Sequence, residues 1–346
     1  MHYAPVLISV YDRPKHVSAC LEALSRNSLA RETPIVIASD GSRNRGDLQL
    51  VASVRSILRA YRDAEIFASV RILESTVNLG SQSNSARLFD ACRSFSSTFI
   101  RLEDDVVVGE TFLEFMNAAL ERFAGDPEVY GICASLPPNE HGKHSSPFSK
   151  ARFRPYGYAS WMVNFDMRTQ LDSSLEALQV FASWDRTRRY FCANPAAAVL
   201  PMIARGDAEP GDIKTQFFLE KNGLCCIYPP QSLALHRGDD GSGEHARRSR
   251  RTASVVHFGE ASKPFFQTLA KCECPEHEAS DAHCRRGRYI LALIAWAAVR
   301  RSATYSLYRH LFRFKLRFRK MQGRLLKELS PRDNYASHQR DRCMGR

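Results

Sequence analysis

Thr98-Phe99-Ile100-Arg101-Leu102-Glu103-Asp104-Asp105-Val106-Val107-Val108 is the stretch on which the reading of this chain turns. Residues 98–102 are a short run rich in apolar and β-branched side chains, which predicts a buried strand. The strand runs without a break into three carboxylates, and apolar residues resume at Val106. Three adjacent acids repel one another, so the cluster is costly without compensating positive charge. It reads either as a solvated acidic turn or as a site for a divalent cation carrying phosphates, since Mg²⁺ and Mn²⁺ prefer oxygen ligands. Its place between two apolar runs favours the cation.

Working outward, the same grammar repeats. Residues 5–10 (PVLISV) and 34–39 (PIVIAS) are compact apolar runs and predict two more buried strands, and 70–74 a further short one. Between them lie segments with apolar residues at helical spacing, at 17–24, 48–61, 83–95 and 112–123. Alternating strand and helix over about the first 125 residues predicts an α/β fold. Its sheet is mainly parallel and twisted, with helices on both faces. In such sheets ligands sit beyond the carboxyl ends of the strands. Tyr11–Arg13, Asp40–Ser42 and Glu103–Asp105 each follow a strand end, so these distant segments are expected to converge on one crevice.

After Gly131 the pattern loosens. Residues 137–155 are rich in Pro, His, Lys and Ser and read as a mobile loop, and 156–165 are aromatic and apolar. A helix is expected at 212–222, closed by Gly223 in a left-handed cap, then a short strand at 224–228. Residues 237–245 are rich in Gly and Asp. The division expected is a catalytic domain over 1–260 and a basic, mainly helical extension over 261–346.

Composition sets outer limits. The chain has 346 residues, 44% hydrophobic and 25% charged, enough to bury a sizeable core, which excludes wholesale disorder. The net charge of +12 favours anionic partners, from phosphorylated small molecules to anionic lipid. The basic residues gather late, at 247–251, 285–288 and 300–327, rather than along the fold, so no nucleic-acid partner is expected. No apolar run reaches the length of a membrane span, and no secretory signal opens the chain. With ten cysteines mostly isolated among apolar residues, free thiols in a cytoplasmic setting are the simplest reading.

Taken in order, VLISVYDRP, IVIASDGS, VNLG and RLEDDVVV resemble the nucleotide-sugar glycosyltransferases of the Rossmann-like GT-A fold. The likeness is to bacterial members of glycosyltransferase family 2, and the acidic triplet is similar to the EDD motif of N-acetylglucosaminyltransferase I. It covers roughly residues 4–245. The resemblance implies an enzyme of hexosyl or N-acetylhexosaminyl type that moves a sugar from a nucleoside diphosphate donor to an acceptor hydroxyl, with inversion, in polysaccharide or glycoconjugate synthesis. It implies that Arg13 and Asp40 lie at the nucleotide, with Asp40 reading the base. Glu103 and Asp104 would contact the nucleotide sugar or the water shell of the metal, and Asp105 would bind Mn²⁺ or Mg²⁺ directly. Tyr156–Trp161 would line the acceptor side, and Asp212 would be the catalytic base; the plain alternative for Asp212 is a helix cap. The loop from Gly238 to His245 would close over the donor, with His245 at the metal or a phosphate. Two features depart from the family's pattern. Asp104 and Asp105 are adjacent rather than spaced Asp-X-Asp, and Asp212 lacks the neighbouring aromatic residue and second acid.

Two motifs lie outside that reading. Cys272, Cys274, His277, His283 and Cys284 could form a small zinc site, or simply a cysteine-rich linker. Residues 289–329 alternate apolar and basic side chains. They could rest on an anionic membrane, as a lipid-linked or glycan acceptor would favour, or pack on the catalytic domain with their arginines in water. Two other functions share features with this chain. A nucleotidyltransferase acting on sugar phosphates would show a Gly-rich basic loop after the first strand, where Tyr11-Asp12-Arg13-Pro14 stands instead. A non-catalytic module binding anionic glycans or nucleic acid would explain the basic tail but not the acidic cluster.

Overall fold

The computed structural model describes residues 3–137, 140–193, 195–238 and 286–312. The expected rhythm is present. The first half runs β1 (Val6–Val10), α1 (Pro14–Ser25), β2 (Pro34–Ser39), α2 (Leu48–Asp63), β3 (Ser69–Glu74), α3 (Gly80–Arg93), β4 (Thr98–Glu103), β5 (Val106–Val108) and α4 (Phe112–Arg122). The second runs β6 (Val129–Cys133), β7 (Phe148–Lys150), β8 (Tyr158–Trp161), α5 (Met162–Thr169), α6 (Ser173–Val180), α7 (Trp184–Ala193), α8 (Leu200–Ala204), α9 (Gly211–Asn222), β9 (Cys225–Tyr228), β10 (Ala234–His236) and α10 (Arg286–Arg300).

Eight strands form one sheet in the order β3-β2-β1-β4-β8-β6-β9-β7. The half from β3 to β4 is wholly parallel. β8 enters antiparallel between β4 and β6, β9 is parallel to β6, and β7 closes the edge antiparallel. Helices cover both faces, and the strands show it residue by residue. Val6, Ile8 and Val10 of β1 and Ile35 and Ile37 of β2 point into the core beneath α1, α2 and α4. Leu7, Val36 and Ala38, the intervening residues, point the other way, into a cluster with Leu88, Phe89 and Phe165 of α3 and α5. A strand buried on both sides has no polar face to alternate with, hence the unbroken apolar runs.

A third cluster joins β6 and β9 to α6–α10, through Tyr130, Tyr228, Phe217, Leu219, Ala292, Ala295 and Ala298. Residues 140–155, read as a mobile loop, are held instead. Phe148–Lys150 pairs with β9, and Glu140 accepts hydrogen bonds from Lys150 and His144. β7 and β8 are three and four residues long, too short for periodicity to announce. Gly223 closes α9 at φ 65°, as expected. Cys20, Cys92, Cys133, Cys225 and Cys226 are free and buried, whereas Cys192, at the end of α7, is disulfide-bonded, which the free-thiol reading did not foresee. No helix among the described residues is long and apolar enough to cross a membrane. His245 and the surrounding loop, Cys272–Cys284 and the sequence beyond residue 312 lie outside the described residues.

Candidate active site

β1 and β4 are neighbours, with Ser9 opposite Glu103, and β2 flanks β1 with Ser39 opposite Val10. The three expected strand ends therefore lie side by side. At the end of β4 the chain turns through Asp104 and Asp105 into β5. β5 is not part of the large sheet. It pairs antiparallel with β10, placing His236 opposite Val106, and the Arg237 amide donates to the Asp105 carbonyl (2.8 Å). This two-stranded ladder carries an imidazole to the acidic turn from far along the chain.

Glu103, Asp105 and His236 each offer a ligand atom, and these atoms lie within 4.8 Å of one another. Asp105 Oδ2 accepts from Arg13 Nη1 (2.8 Å) and lies 3.5 Å from His236 Nε2. Asp105 Oδ1 is buried and has no hydrogen-bond partner among the described residues. A buried carboxylate oxygen left so is costly, and a cation would satisfy it. Tyr156 stacks on the His236 ring, with centroids 4.3 Å apart, and fixes its plane. Gly238 closes the group: a Cβ there would stand 2.4 Å from Asp105 Oδ2 and 2.6 Å from His236 Nε2, so any side chain would displace these two groups.

The electrostatics follow from burial. Desolvation raises the Glu103 and Asp104 carboxyls; Arg101 opposes this at Glu103, and Arg13 at Asp104. Burial pushes Asp105 up as well, but the hydrogen bond from His236 and the Arg13 charge outweigh it and bring Asp105 down to about 2. Arg13 grips Asp104 through Nε (3.1 Å) and Nη2, and Asp105 through Nη1. The fork that the resemblance assigns to the nucleotide is thus engaged with the acids. Buried Arg101, which sequence reading passed over inside an apolar strand, donates to the Leu7 and Leu102 carbonyls, Ser9 and Ser85. It is a fixed positive charge under Glu103.

Asp40 sits at the end of β2, two strands from Glu103, and is 3% exposed. Its Oδ1 accepts from the Gly41 and Leu79 amides (2.9 and 2.8 Å), its Oδ2 from the Gly80 amide and the Asn78 side chain (3.0 and 3.2 Å). A carboxylate has about four acceptor positions, and all are filled. Asp40 therefore caps the N-terminus of α3 from another element and pins the turn before it. A nucleobase bound at Asp40, as the resemblance implies, would displace one of these bonds. Asp40→Ala leaves the Leu79 and Gly80 amides without acceptors, while the Gly41 amide keeps the Val77 carbonyl and the Asn78 side chain keeps the Gly41 carbonyl, and is expected to destabilise the fold by about 3 kcal/mol. Urea unfolding is the check, and a loss under about 1 kcal/mol would remove the capping role.

Asp212 stands in the first turn of α9, exposed, with no side-chain hydrogen bond or ion pair among the described residues. It does not cap the helix. It lines a cavity of about 50 Å³ with Arg152, Phe153, Tyr190 and Gln216. Gln82, in the first turn of α3, donates to the Glu209 carbonyl (2.8 Å) and ties the start of α9 to the crevice side of the sheet. A pocket of about 300 Å³ opens beside the end of β2, lined by Gly41, Ser42, Arg55, Arg59 and Thr76 among others. A larger hollow of about 470 Å³ lies at the start of β4, at the opposite end of the sheet, lined by Arg93–Ser97 and Met162. It holds no acids.

No family model matches the chain, and no curated protein does. Solved structures do match in part. TarS 1–349 from S. aureus aligns at 13% identity and a TM-score of 0.36, over 48% of this chain and 49% of that one. The same protein in complex with UDP-GlcNAc aligns at 12% and 0.35, over 48% and 47%. The mannosyltransferase PcManGT from Pyrobaculum calidifontis, in complex with GDP-Man and Mn²⁺, aligns at 13% and 0.36, over 63% and 69%. The chain thus spans about half the length of the first structures it matches. The likeness is loose, and the function is read from this chain's own residues.

Proposed function

We propose that this chain is a metal-dependent glycosyltransferase that moves a sugar from a nucleoside diphosphate donor to an acceptor hydroxyl. The observation that carries the reading is the Glu103, Asp105 and His236 donor set with its unsatisfied Asp105 oxygen, at the carboxyl end of a parallel strand. These three residues would hold the cation, and an imidazole beside two carboxylates suits Mn²⁺ better than Mg²⁺. A divalent ion bound there supplies Lewis-acid neutralisation of the departing diphosphate.

The residues divide the remaining work. Arg13 holds Asp104 and Asp105 in place and favours their charged forms against burial, and its positive charge stands where a diphosphate would approach. Asp104 positions Arg13 in turn. Asp40, by holding the turn at 77–80, shapes the wall beside which the nucleoside would lie. Asp212, without a side-chain partner among the described residues, would take the proton from the acceptor hydroxyl as that oxygen attacks the anomeric carbon, inverting it. His245 would join the donor site from the loop after Gly238. We assign residues 1–260 to catalysis and 261–346 to an extension, and a hexosyl or N-acetylhexosaminyl group to the donor.

Melting curves test the donor half of this reading. UDP or GDP with Mn²⁺ at a hundredfold excess over Kd should stabilise the protein by about 2.7 kcal/mol, a rise of several degrees. The nucleotide alone should do far less. Absence of a shift with every nucleoside diphosphate in the presence of Mn²⁺ would overturn it.

A further inference from the structure

α10 is two-faced in an unusual sense. Its small residues, Ala292, Ala295 and Ala298, are buried in the cluster shared with α7 and α8. Leu291, Trp296 and Val299 pack against the same cluster, but three large residues face out: Ile290 is 55% exposed, Leu293 45% and Ile294 42%. On a helical wheel these three share one face, opposite the alanines. The helical stretch over 302–312 repeats the arrangement. Tyr305, Tyr308 and Phe312 pack inward, while Leu307 and Leu311, one turn apart, are 60% and 55% exposed. Burial against the protein alone calls for one apolar face and a polar one opposite it. Here a second apolar face of bulky side chains is turned to another surrounding.

The charge around them says which. Residues 285–327 contain thirteen Lys and Arg and no Asp or Glu. The helix is also firmly seated: Arg300 donates to the Phe181 carbonyl (3.0 Å), Arg205 to the Val299 carbonyl (2.8 Å), and Arg309 pairs with Asp207 (3.4 Å). Nucleic acid would be met by the cations but would leave the isoleucines and leucines unused. Another protein chain would use the apolar stripe but give no reason for an acid-free run of this length. An anionic bilayer uses both, taking apolar side chains below its headgroups and cations among them.

We propose that the outward face of residues 290–311 docks this protein on an anionic lipid surface, lying along it without crossing. Flotation of the full chain with phosphatidylglycerol-containing vesicles, and with pure phosphatidylcholine vesicles, tests this. The chain should float with the first and not the second, less so at about 0.5 M salt than at about 0.1 M. Substituting Ile290→Ser, Leu293→Ser and Ile294→Ser together should weaken binding at least tenfold with the melting temperature unchanged. Leu307→Ser with Leu311→Ser is an independent variant expected to act in the same direction. The proposal is overturned if the wild type does not float. It is also overturned if both sets of variants bind vesicles as the wild type does, since cations alone would then account for binding, as they would for equal binding to duplex RNA. A dimer in light scattering that the triple variant splits, with no vesicle binding, would assign the face to a second copy instead.

Discussion

Asp105→Asn should reduce cation-dependent turnover of a nucleotide sugar by about 10³-fold, well beyond the 10- to 100-fold typical when only an outer partner of a metal ligand is lost. Asn keeps the shape and one oxygen but not the charge. Asp105 is the point where the site's interactions cross: Arg13 donates to it, His236 lies against it, and its other oxygen is buried and unmatched. Release of nucleoside diphosphate from a panel of nucleotide sugars with Mn²⁺ measures the rate, and Mn²⁺ electron paramagnetic resonance measures binding. Unchanged turnover together with unchanged Mn²⁺ affinity would sink the assignment. A second signature accompanies it. The folded protein holds Asp105 down to about 2, below its ordinary 3.8. A depressed carboxyl contributes stability that is present above the unfolded value and lost as pH falls towards 2. At neutral pH the Asn variant should therefore also be less stable, by about 2 kcal/mol, and the difference should vanish in acid.

Asp212→Asn should lower turnover by about 10²- to 10⁴-fold, the usual share of a positioned general base, while leaving stabilisation by nucleoside diphosphate and Mn²⁺ intact. The separation is what makes this informative. Asp212 is exposed and holds nothing in place among the described residues, so its loss should not disturb the fold or the donor site. Hydrolysis of the donor, with water in place of the acceptor, is a sufficient readout. Turnover equal to wild type would remove Asp212 from the chemistry, and a lost nucleotide response would mean that it serves binding instead.

The parts of this molecule that could be read from sequence are those whose cause is local. β1, β2 and β4 announce themselves because strands covered on both faces are apolar at most positions, and the acids stand out because they end such a run. Three other features are set by contacts between distant residues and leave no local mark. His236 gains meaning only from a three-residue strand paired with β5, and Gly238 only from the side chains its missing Cβ would strike. Asp40 looks like a turn residue with an open carboxylate until the turn at 77–80 folds onto it. The same holds for α10, where a basic apolar pattern does not say which residues turn inward; the alanines do, because small side chains let helices approach closely.

The ladder between β5 and β10 also dates the site within the life of the molecule. Asp105 and His236 are separated by roughly 130 residues of chain, and that interval includes β6, β8 and β9 of the large sheet. During synthesis, the carboxylates emerge with Arg13 as their partner long before the imidazole exists. Arg13 is thus the first companion of Asp104 and Asp105, as Arg101 is of Glu103, while the C-terminal half is made. The full donor set comes into being only with β10, so competence to hold a cation there arrives after every strand of the large sheet has been made.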